Sequence, residues 1–373
     1  MKLLDEEHLK RVIEERIHND IKNERIGGVA VAVMQKKEVL FQKYFGSNRL
    51  GITVDKGTLF RLASMTKPIT AIAVLILVDR KLIKLEDNVS KYIPEYKEMN
   101  VGYVDENKNI KILRPAQREI TIRHLLTHSS GLGSDEVGGI EREKMSPEVK
   151  KNLKTSVEYY SNTALAFEPG EKSMYSGVFA FDVLARIVEL VSGVPYDEFL
   201  EKEIFIPLGM TNTTFSPTVQ QWDKLIPMHD VKNEKGITIS MPSGCIFADF
   251  PVTHFCGGAG LVSNLEDYLK FARMLLQGGI FEGRQVVSKE MLAAMCTPYI
   301  SDDIRYWGLG VRVIREGDDA NLPAGTYGWS GAYGTHFWID PQNEIIAIYL
   351  KNSLYDGGSE ALTSKNFEYD VYR

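Results

Sequence analysis

Cysteine is scarce in this chain: Cys245, Cys256 and Cys296 are the only three among 373 residues. An odd number without zinc-type spacing gives neither a disulfide framework nor a metal knuckle, so the three read as free, mostly buried thiols of a reducing compartment, with a catalytic cysteine as the lesser alternative. Positive charge is also short. Lys and Arg number 44 against 50 Asp and Glu, a net charge of −6, which argues against nucleic acid or an anionic membrane surface as the main partner. No long apolar run is present, since the ten apolar-rich residues after Lys67 fall short of the ~20 that span a bilayer. The start of the chain lacks the continuous apolar region and small-residue cleavage site of a secretory signal. The expectation is a cytoplasmic protein with no membrane partner. Internal repeats, low-complexity tracts, a P-loop and a dinucleotide-type glycine turn are missing too, and neither metal nor organic cofactor is implied.

What remains is ordinary globular material. Apolar residues make up 44% and charged residues 25%, and a chain of this length suggests roughly two domains around a substantial core. "MKLLDEEHLKRVIEERIHND" places Leu9, Val12, Ile13, Ile17 and Ile21 at helical spacing, an amphipathic helix. Two strands follow, Val29 to Met34 and Val39 to Tyr44, joined by a charged tight turn. An apolar helix after Lys67 leads to a polar connection closed by Pro94, and helical or irregular stretches then predominate to about Ala272. Phe179 to Val191 reads as a helix ending at "SGVP". Ser263 to Leu276 reads as another, with Ser263 and Glu266 in capping-box spacing, Leu265, Tyr268, Leu269, Ala272 and Leu276 as its buried stripe, and Gly278 as its end. The turn-rich stretch 216–256 reads either as a pocket wall or as a surface excursion.

Strands return at the C-terminal end. "YWGLGVRVI" and "TYGWSGAYGTHFWIDPQNEIIAIYL" predict neighbouring antiparallel strands, with a hairpin turning at Asp340 to Asn343. Strands at both ends with helices between give an α+β architecture: a sheet domain from 1–62 and 257–373, a mainly helical domain over 63–256, and a ligand cleft between them.

One feature does not suit a core helix. In "LASMTKPITAIAVLILVDR" the sealed end of the apolar helix carries Ser64 and Lys67, and lysine is rarely buried without a partner. Three residues apart on a helix, the two side chains share a face, and a serine at a helix start has free N–H groups and the positive dipole end beside it. Taken alone, the pair is equally served by an N-cap serine and a snorkelling lysine. Two further stretches change the balance: "FEPGEKSMYSGVFAF", with Tyr175-Ser176-Gly177 at the mouth of an apolar helix, and "YGWSGAYG", with Trp329-Ser330-Gly331 on a strand.

In that order the three pieces resemble the serine hydrolases of the class C β-lactamase and penicillin-binding-protein superfamily, whose pattern is S-x-x-K, Y-x-N, then K/H-T-G or W-x-G. "ITIRHLLTHSSGL", "FIPLGMTNTTF" and "GGAGLVSNLEDYLKF" match its framework, and the likeness runs from about Gly28 to Leu350. It implies a β-lactamase/transpeptidase-like fold: an antiparallel sheet flanked by helices, beside an all-helical domain. It implies Ser64 as nucleophile, activated by Lys67 and Tyr175, because a serine hydroxyl needs a neighbour to take its proton and an ammonium beside a phenol favours the phenolate. The backbone N–H groups of Ser64 and Ala332 would form the oxyanion hole, and Trp329, Ser330, Gly331 and Gly177 would line the substrate site. Trp329 stands where lactamases carry lysine or histidine, and Gly177 where they carry asparagine. Both changes remove polar recognition, so the expected substrate is a neutral acyl ester. W-x-G is also the signature of the family VIII carboxylesterases and related acyltransferases. The expectation is a serine carboxylesterase acting on small-molecule esters of short to medium chain length. The alternatives are a β-lactamase, a D-amino-acid peptidase, an acyltransferase, and a non-turnover penicillin-binding sensor.

Other motifs read less convincingly. Gly328-Trp329-Ser330-Gly331-Ala332 approaches a G-x-S-x-G elbow but fails on order: the fold that carries it needs its acid and histidine downstream of the serine, and only His336 follows, six residues on along the same predicted strand, so Ser330 reads as a site-wall residue. His124 and His128 have i, i+4 spacing without the glutamate of H-E-x-x-H, so they read as structural histidines. Ser134-Asp135-Glu136 reads as a loop.

Overall fold

The computed structural model describes residues 3–47, 53–231, 237–240, 252–318 and 321–373. Its centre is an eight-stranded antiparallel sheet. In spatial order the strands are Ile300–Ser301, Tyr306–Trp307, Arg312–Val313, Tyr327–Ser330, His336–Asp340, Ile345–Leu350, Gly28–Gln35 and Glu38–Gly46. The chain's two ends meet where Gly28–Gln35 pairs with Ile345–Leu350, from Ala30 opposite Leu350 to Gln35 opposite Ile345.

Side chains alternate across a strand, and both sets are apolar here. Val29, Val31, Val33, Trp338, Ile345, Ala347 and Tyr349 form one buried cluster with Leu9, Ile13, Ile17, Phe367 and Val371. These last come from the helices Glu6–Lys22 and Leu362–Tyr372, which are clamped together where Arg16 donates two hydrogen bonds, at 2.7 and 2.9 Å, to Asp370. Ala30, Ala32, Met34, Phe337, Ile339, Ile346 and Ile348 face the other way. There they meet the helix Leu265–Leu276, whose Leu265, Tyr268, Phe271 and Ala272 are buried. Burial on both faces explains why Gly28–Gln35 reads as a continuous apolar run rather than an alternating one.

The helix Thr66–Asp79 is buried at every residue from Thr66 to Leu77, so its hydrophobicity reflects burial on all sides. Pro68 sits in its first turn, where a missing N–H costs nothing. The Phe179–Ser192 helix packs beside it and ends at Gly193, whose φ of +76° is the left-handed cap that glycine supplies without strain.

Three expectations need correction. The helix after "GGAGL" is capped by Asn264, whose side chain accepts from Asp267 N at 3.0 Å, while Ser263 belongs to a short strand paired with Phe60–Arg61. "YWGLGVRVI" is not one strand but two, Tyr306–Trp307 and Arg312–Val313, folded back on each other through Gly310 at φ +78°. Within the stretch expected to be helical, Asn100–Val104 and Ile110–Pro115 form a hairpin. Its second strand is exposed or half-buried throughout, so it has no hydrophobic alternation to betray it. Within 216–256, residues 232–236 and 241–251, Cys245 among them, lie outside the described residues.

Among the described residues no helix is long and apolar enough to cross a membrane. The capping assignment is testable. Asn264→Ala should lower unfolding free energy by about 0.5–2 kcal/mol in urea melts, and an unchanged midpoint would contradict it.

Candidate active site

Ser64 occupies a short 3-10 turn, Ala63–Met65, that runs straight into the Thr66–Asp79 helix. It therefore precedes the α-helix instead of opening it. Ala63 has φ +47°, a left-handed conformation that costs a residue with a Cβ on the order of 1–3 kcal/mol unless its surroundings fix it. They do. Leu62 N donates to Leu261 O at 2.9 Å, Thr335 Oγ1 donates to Leu62 O at 2.9 Å, and Tyr268 OH donates to Met65 O at 3.0 Å. Asn352 brackets Arg61, accepting from its N at 2.9 Å and donating to its O at 3.0 Å.

Lys67 is wholly buried. An ammonium has three N–H donors, and each has a partner: Ser64 Oγ at 3.2 Å, Gly177 O at 2.6 Å and Gly258 O at 2.8 Å. The rings of Tyr175 and Phe181 lie 4.9 and 5.4 Å from Nζ, adding cation–π attraction. Ser64 is held from the other side by Tyr175, whose OH donates to Ser64 Oγ at 2.7 Å. The spacing of three residues thus brings Lys67 to Ser64, and the fold brings Tyr175 to the same oxygen across more than a hundred residues of sequence.

Tyr175 is set by its neighbours rather than by a helix. Its ring lies 4.7 Å from His128, 5.3 Å from Trp329 and 5.8 Å from Trp307. His128 Nδ1 accepts from Ser176 N at 3.1 Å, and His128 O accepts from Met174 N at 2.9 Å, so the residues on both sides of Tyr175 are tied to His128. Burial holds the His128 imidazole well below its ordinary pKa, and the charges of Lys67 and Arg305 push it further. It is neutral, with its proton on Nε2. His128 is thus structural, as expected, but it stands directly behind the site. The "THSSGL" phrase marked it; its contact with Tyr175 depends on a fold contact no spacing encodes. His124 fills a different place, as the capping-box partner of Thr121.

Gly258 is held by a second buried group. Asp182 accepts from Gly257 N at 2.9 Å, from His254 Nε2 at 2.9 Å and from Tyr160 OH at 3.0 Å. His254 Nδ1 meets Lys150 O at 3.1 Å, so both ring nitrogens face acceptors and the ring is an imidazolium. Burial opposes that charge, but the carboxylate of Asp182 outweighs it and leaves His254 above its ordinary pKa. Cys256 completes a trio of potential ligand atoms within 4.8 Å of one another. The trio does not suit a metal: the His254 nitrogen is spent on Asp182, and burial pushes the Cys256 thiol far up, so no thiolate is offered. Burial likewise pushes Cys296 up to about 12, which leaves these two thiols protonated and gives neither a catalytic role.

The third motif lies beside the Ser64 turn. A Cβ on Gly331 would come within 2.3 Å of Leu62 O and 3.3 Å of Ala63 Cβ, so only glycine permits this approach. Among the described residues nothing accepts a hydrogen bond from Ala332 N–H. Trp329 reaches the site but is 5% exposed, packed against Tyr175 and, at 4.6 Å, Trp307; it backs the cleft more than it lines it. At Gly177 an added Cβ would meet nothing within 4 Å, so the space where a side chain would begin is open. Ser330 requires correction. Neighbouring strand residues face opposite ways, and its hydroxyl turns from Ser64 to His336 Nδ1 at 2.7 Å. His336 lies on the adjacent strand, directly across from Ser330, not on the same strand. Ser134-Asp135-Glu136 is not a loop: Ser134 takes the N-cap position of the helix Asp135–Lys144, and its Oγ, donating to Met174 O at 3.0 Å, supports the Tyr175 segment.

The sheet and this cluster define an enzyme of the serine hydrolase class. The chain belongs to the Beta-lactamase family, whose sequence model matches residues 9–366. Protein Rv1367c of Mycobacterium tuberculosis (strain ATCC 25618 / H37Rv) is 30% identical over 358 residues, 87% of this chain and 85% of that protein. Esterase EstB of Burkholderia gladioli is 28% identical over 371 residues, 92% of this chain and 90% of its own length. Among solved structures, EstCE1, described as a hydrolase with promiscuous acyltransferase activity, shares the fold with a TM-score of 0.82 at 22% identity, over 99% of both chains.

The neutral His128 gives stability a pH dependence. The unfolded chain protonates this histidine near pH 6.5 and the native state does not, so His128 makes stability fall as pH drops below that value, by up to ~1.4 kcal/mol per pH unit. His254 acts in the opposite sense, and comparison with a variant cancels it. His128→Asn, whose amide oxygen still accepts from Ser176 N, should lose less stability than the native protein between pH 7 and pH 5 in urea melts. Equal losses would contradict a neutral His128.

Proposed function

We propose that this protein is a serine carboxylesterase working through an acyl-enzyme, in a cleft between a sheet domain, 1–62 and 257–373, and a mainly helical domain, 63–256. The observation that carries this reading is the convergence of Tyr175 OH, at 2.7 Å, and Lys67 Nζ, at 3.2 Å, on Ser64 Oγ. That is nucleophile, proton carrier and charge partner within hydrogen-bond reach.

In the reacting form Tyr175 has released its proton and is a phenolate held beside the Lys67 ammonium, and Ser64 Oγ attacks the ester carbonyl as its proton passes to that phenolate oxygen. The carbonyl oxygen, now negative, takes hydrogen bonds from the N–H groups of Ser64 and Ala332; losing one such donor typically costs roughly 2.7–4 kcal/mol. The C–O bond to the alcohol breaks and the pair hands the alcohol its proton. Water then attacks the acyl-enzyme, gives a proton to the same pair, and Ser64 leaves with that proton restored. Lys67, fixed by Gly177 O and Gly258 O, keeps a positive charge beside whichever oxygen is negative.

Several features support a neutral ester of short or medium chain length. Trp329 stands where a cation would hold a substrate carboxylate, and His128, Phe181, Trp307 and Trp329 fill the space behind Tyr175 and Lys67 with rings. The name of the B. gladioli relative agrees. Acyl transfer to an acceptor other than water is the second reading, favoured by the described activity of EstCE1.

Ser64→Ala should abolish hydrolysis of p-nitrophenyl acetate and butyrate, and Tyr175→Phe should lower kcat by about 10²–10⁴ with little change in KM. A fully active Ser64→Ala protein, or a higher kcat/KM on a chromogenic cephalosporin or D-alanyl peptide, would overturn the proposal. Gly177→Asn, whose Cβ would meet nothing within 4 Å, should shift the ratio of cephalosporin to ester turnover upward. A fall in that ratio would contradict the role given to the open space.

A further inference from the structure

The mechanism leaves Ser330 unused, yet Ser330 sits in a chemical arrangement of its own. The strand register sets His336 directly opposite it, so the two side chains stand on the same face, the face covered by the Leu362–Tyr372 helix. Ser330 Oγ lies 2.7 Å from His336 Nδ1, and His336 Nε2 lies 3.0 Å from Glu368 Oε1 of that helix. Burial raises the Glu368 carboxyl, but the hydrogen bond and charge of His336, with Lys365 and Arg312, outweigh it and hold the group below its ordinary range. A carboxylate only accepts, so His336 holds a proton on Nε2, and in the neutral ring Nδ1 is the nitrogen that accepts from the Ser330 hydroxyl. Nucleophile, base and orienting acid therefore stand in working order and polarity.

The surroundings are those of a site. Arg312 pairs in register with Gly328, two residues before Ser330, so it lies on the same face. A narrow pocket of about 20 Å³ is lined by Arg312, Leu322, Ser330, His336, Ser359 and Glu368. Arg312 Nε and Glu368 Oε2 are buried without a hydrogen-bond partner, although Lys365 approaches Glu368 Oε2 to 3.9 Å. Buried polar atoms left unsatisfied at a pocket mark room for a polar occupant. Ser330 and His336 are 5% and 6% exposed, which restricts entry to small groups.

We infer that Ser330 is a second activated serine, acylated or sulfonylated by small electrophiles through this pocket independently of Ser64. With methanesulfonyl fluoride the Ser330 Oγ–S bond forms as the S–F bond breaks. Fluoride leaves, and the hydroxyl proton passes to His336 Nδ1 and on to solvent. The sulfonate ester stays in place, so the reaction is stoichiometric.

The test uses Ser64→Ala protein, so that the outcome does not depend on the esterase reading. Methanesulfonyl fluoride should place one group on Ser330, located by peptide mass mapping, and Ser64→Ala/Ser330→Ala should take none there. The labelling rate should drop about 10²-fold or more in Ser64→Ala/His336→Gln, and also in Ser64→Ala/Glu368→Gln, with a thermal melt checking that each is folded. The glutamate variant decides the matter if the histidine variant does not fold. A bulky arylsulfonyl fluoride should label Ser330 far more slowly. Absence of label on Ser330, or the same rate in folded variants lacking the base or its acid, would overturn the inference.

Discussion

Everything at the site depends on the need of one buried ammonium for three acceptors. Among the described residues no carboxylate pairs with Lys67; its three N–H groups go to Ser64 Oγ and the carbonyls of Gly177 and Gly258. Those acceptors belong to three separate stretches of chain, so satisfying Lys67 forces the Ser64 turn, the start of the Phe179–Ser192 helix and the "GGAGL" loop together. A buried charge short of an acceptor costs far more than one ordinary hydrogen bond yields, which makes this constraint stricter than the surrounding apolar packing.

The rest of the fold fixes those stretches. The strained Ala63 is held by Leu261 of the "GGAGL" loop, by Thr335 and Asn352 just outside the sheet strands, and by Tyr268 of the helix packed on the sheet. On the helical side Asp182 holds Gly257 and His128 holds the backbone around Tyr175. Each device spends a buried polar or charged group on orientation, His128 through Nδ1 and its carbonyl while its Nε2 has no hydrogen-bond partner. The result is preorganisation: Tyr175 and Lys67 meet Ser64 Oγ before any substrate arrives.

Much of this was legible in the sequence, and the reasons differ between elements. Gly28–Gln35 and Ile345–Leu350 declared themselves because burial on both faces demands long apolar runs. Ser64 and Lys67 stood out because a lysine at the sealed end of an apolar helix has no cheap structural explanation. Tyr175 was found by motif order alone, since nothing local links it to Ser64. The failures have physical causes as well. Ile110–Pro115 is a strand with no buried face, Asn264 displaced Ser263 as cap because Ser263 was needed for strand pairing, and Ser330 faces away from Ser64 because alternation along a strand overrides membership of a motif. Glu368, 38 residues beyond Ser330, could not be paired with His336 before the C-terminal helix was seen lying over that face.

Catching the covalent intermediate tests the central claim most directly. Native protein mixed with p-nitrophenyl octanoate, quenched in acid within the first turnovers and digested for peptide mass mapping, should carry a single octanoyl group on Ser64. An octanoyl group on any other residue, or none at all while p-nitrophenol is released over many turnovers, would contradict the account.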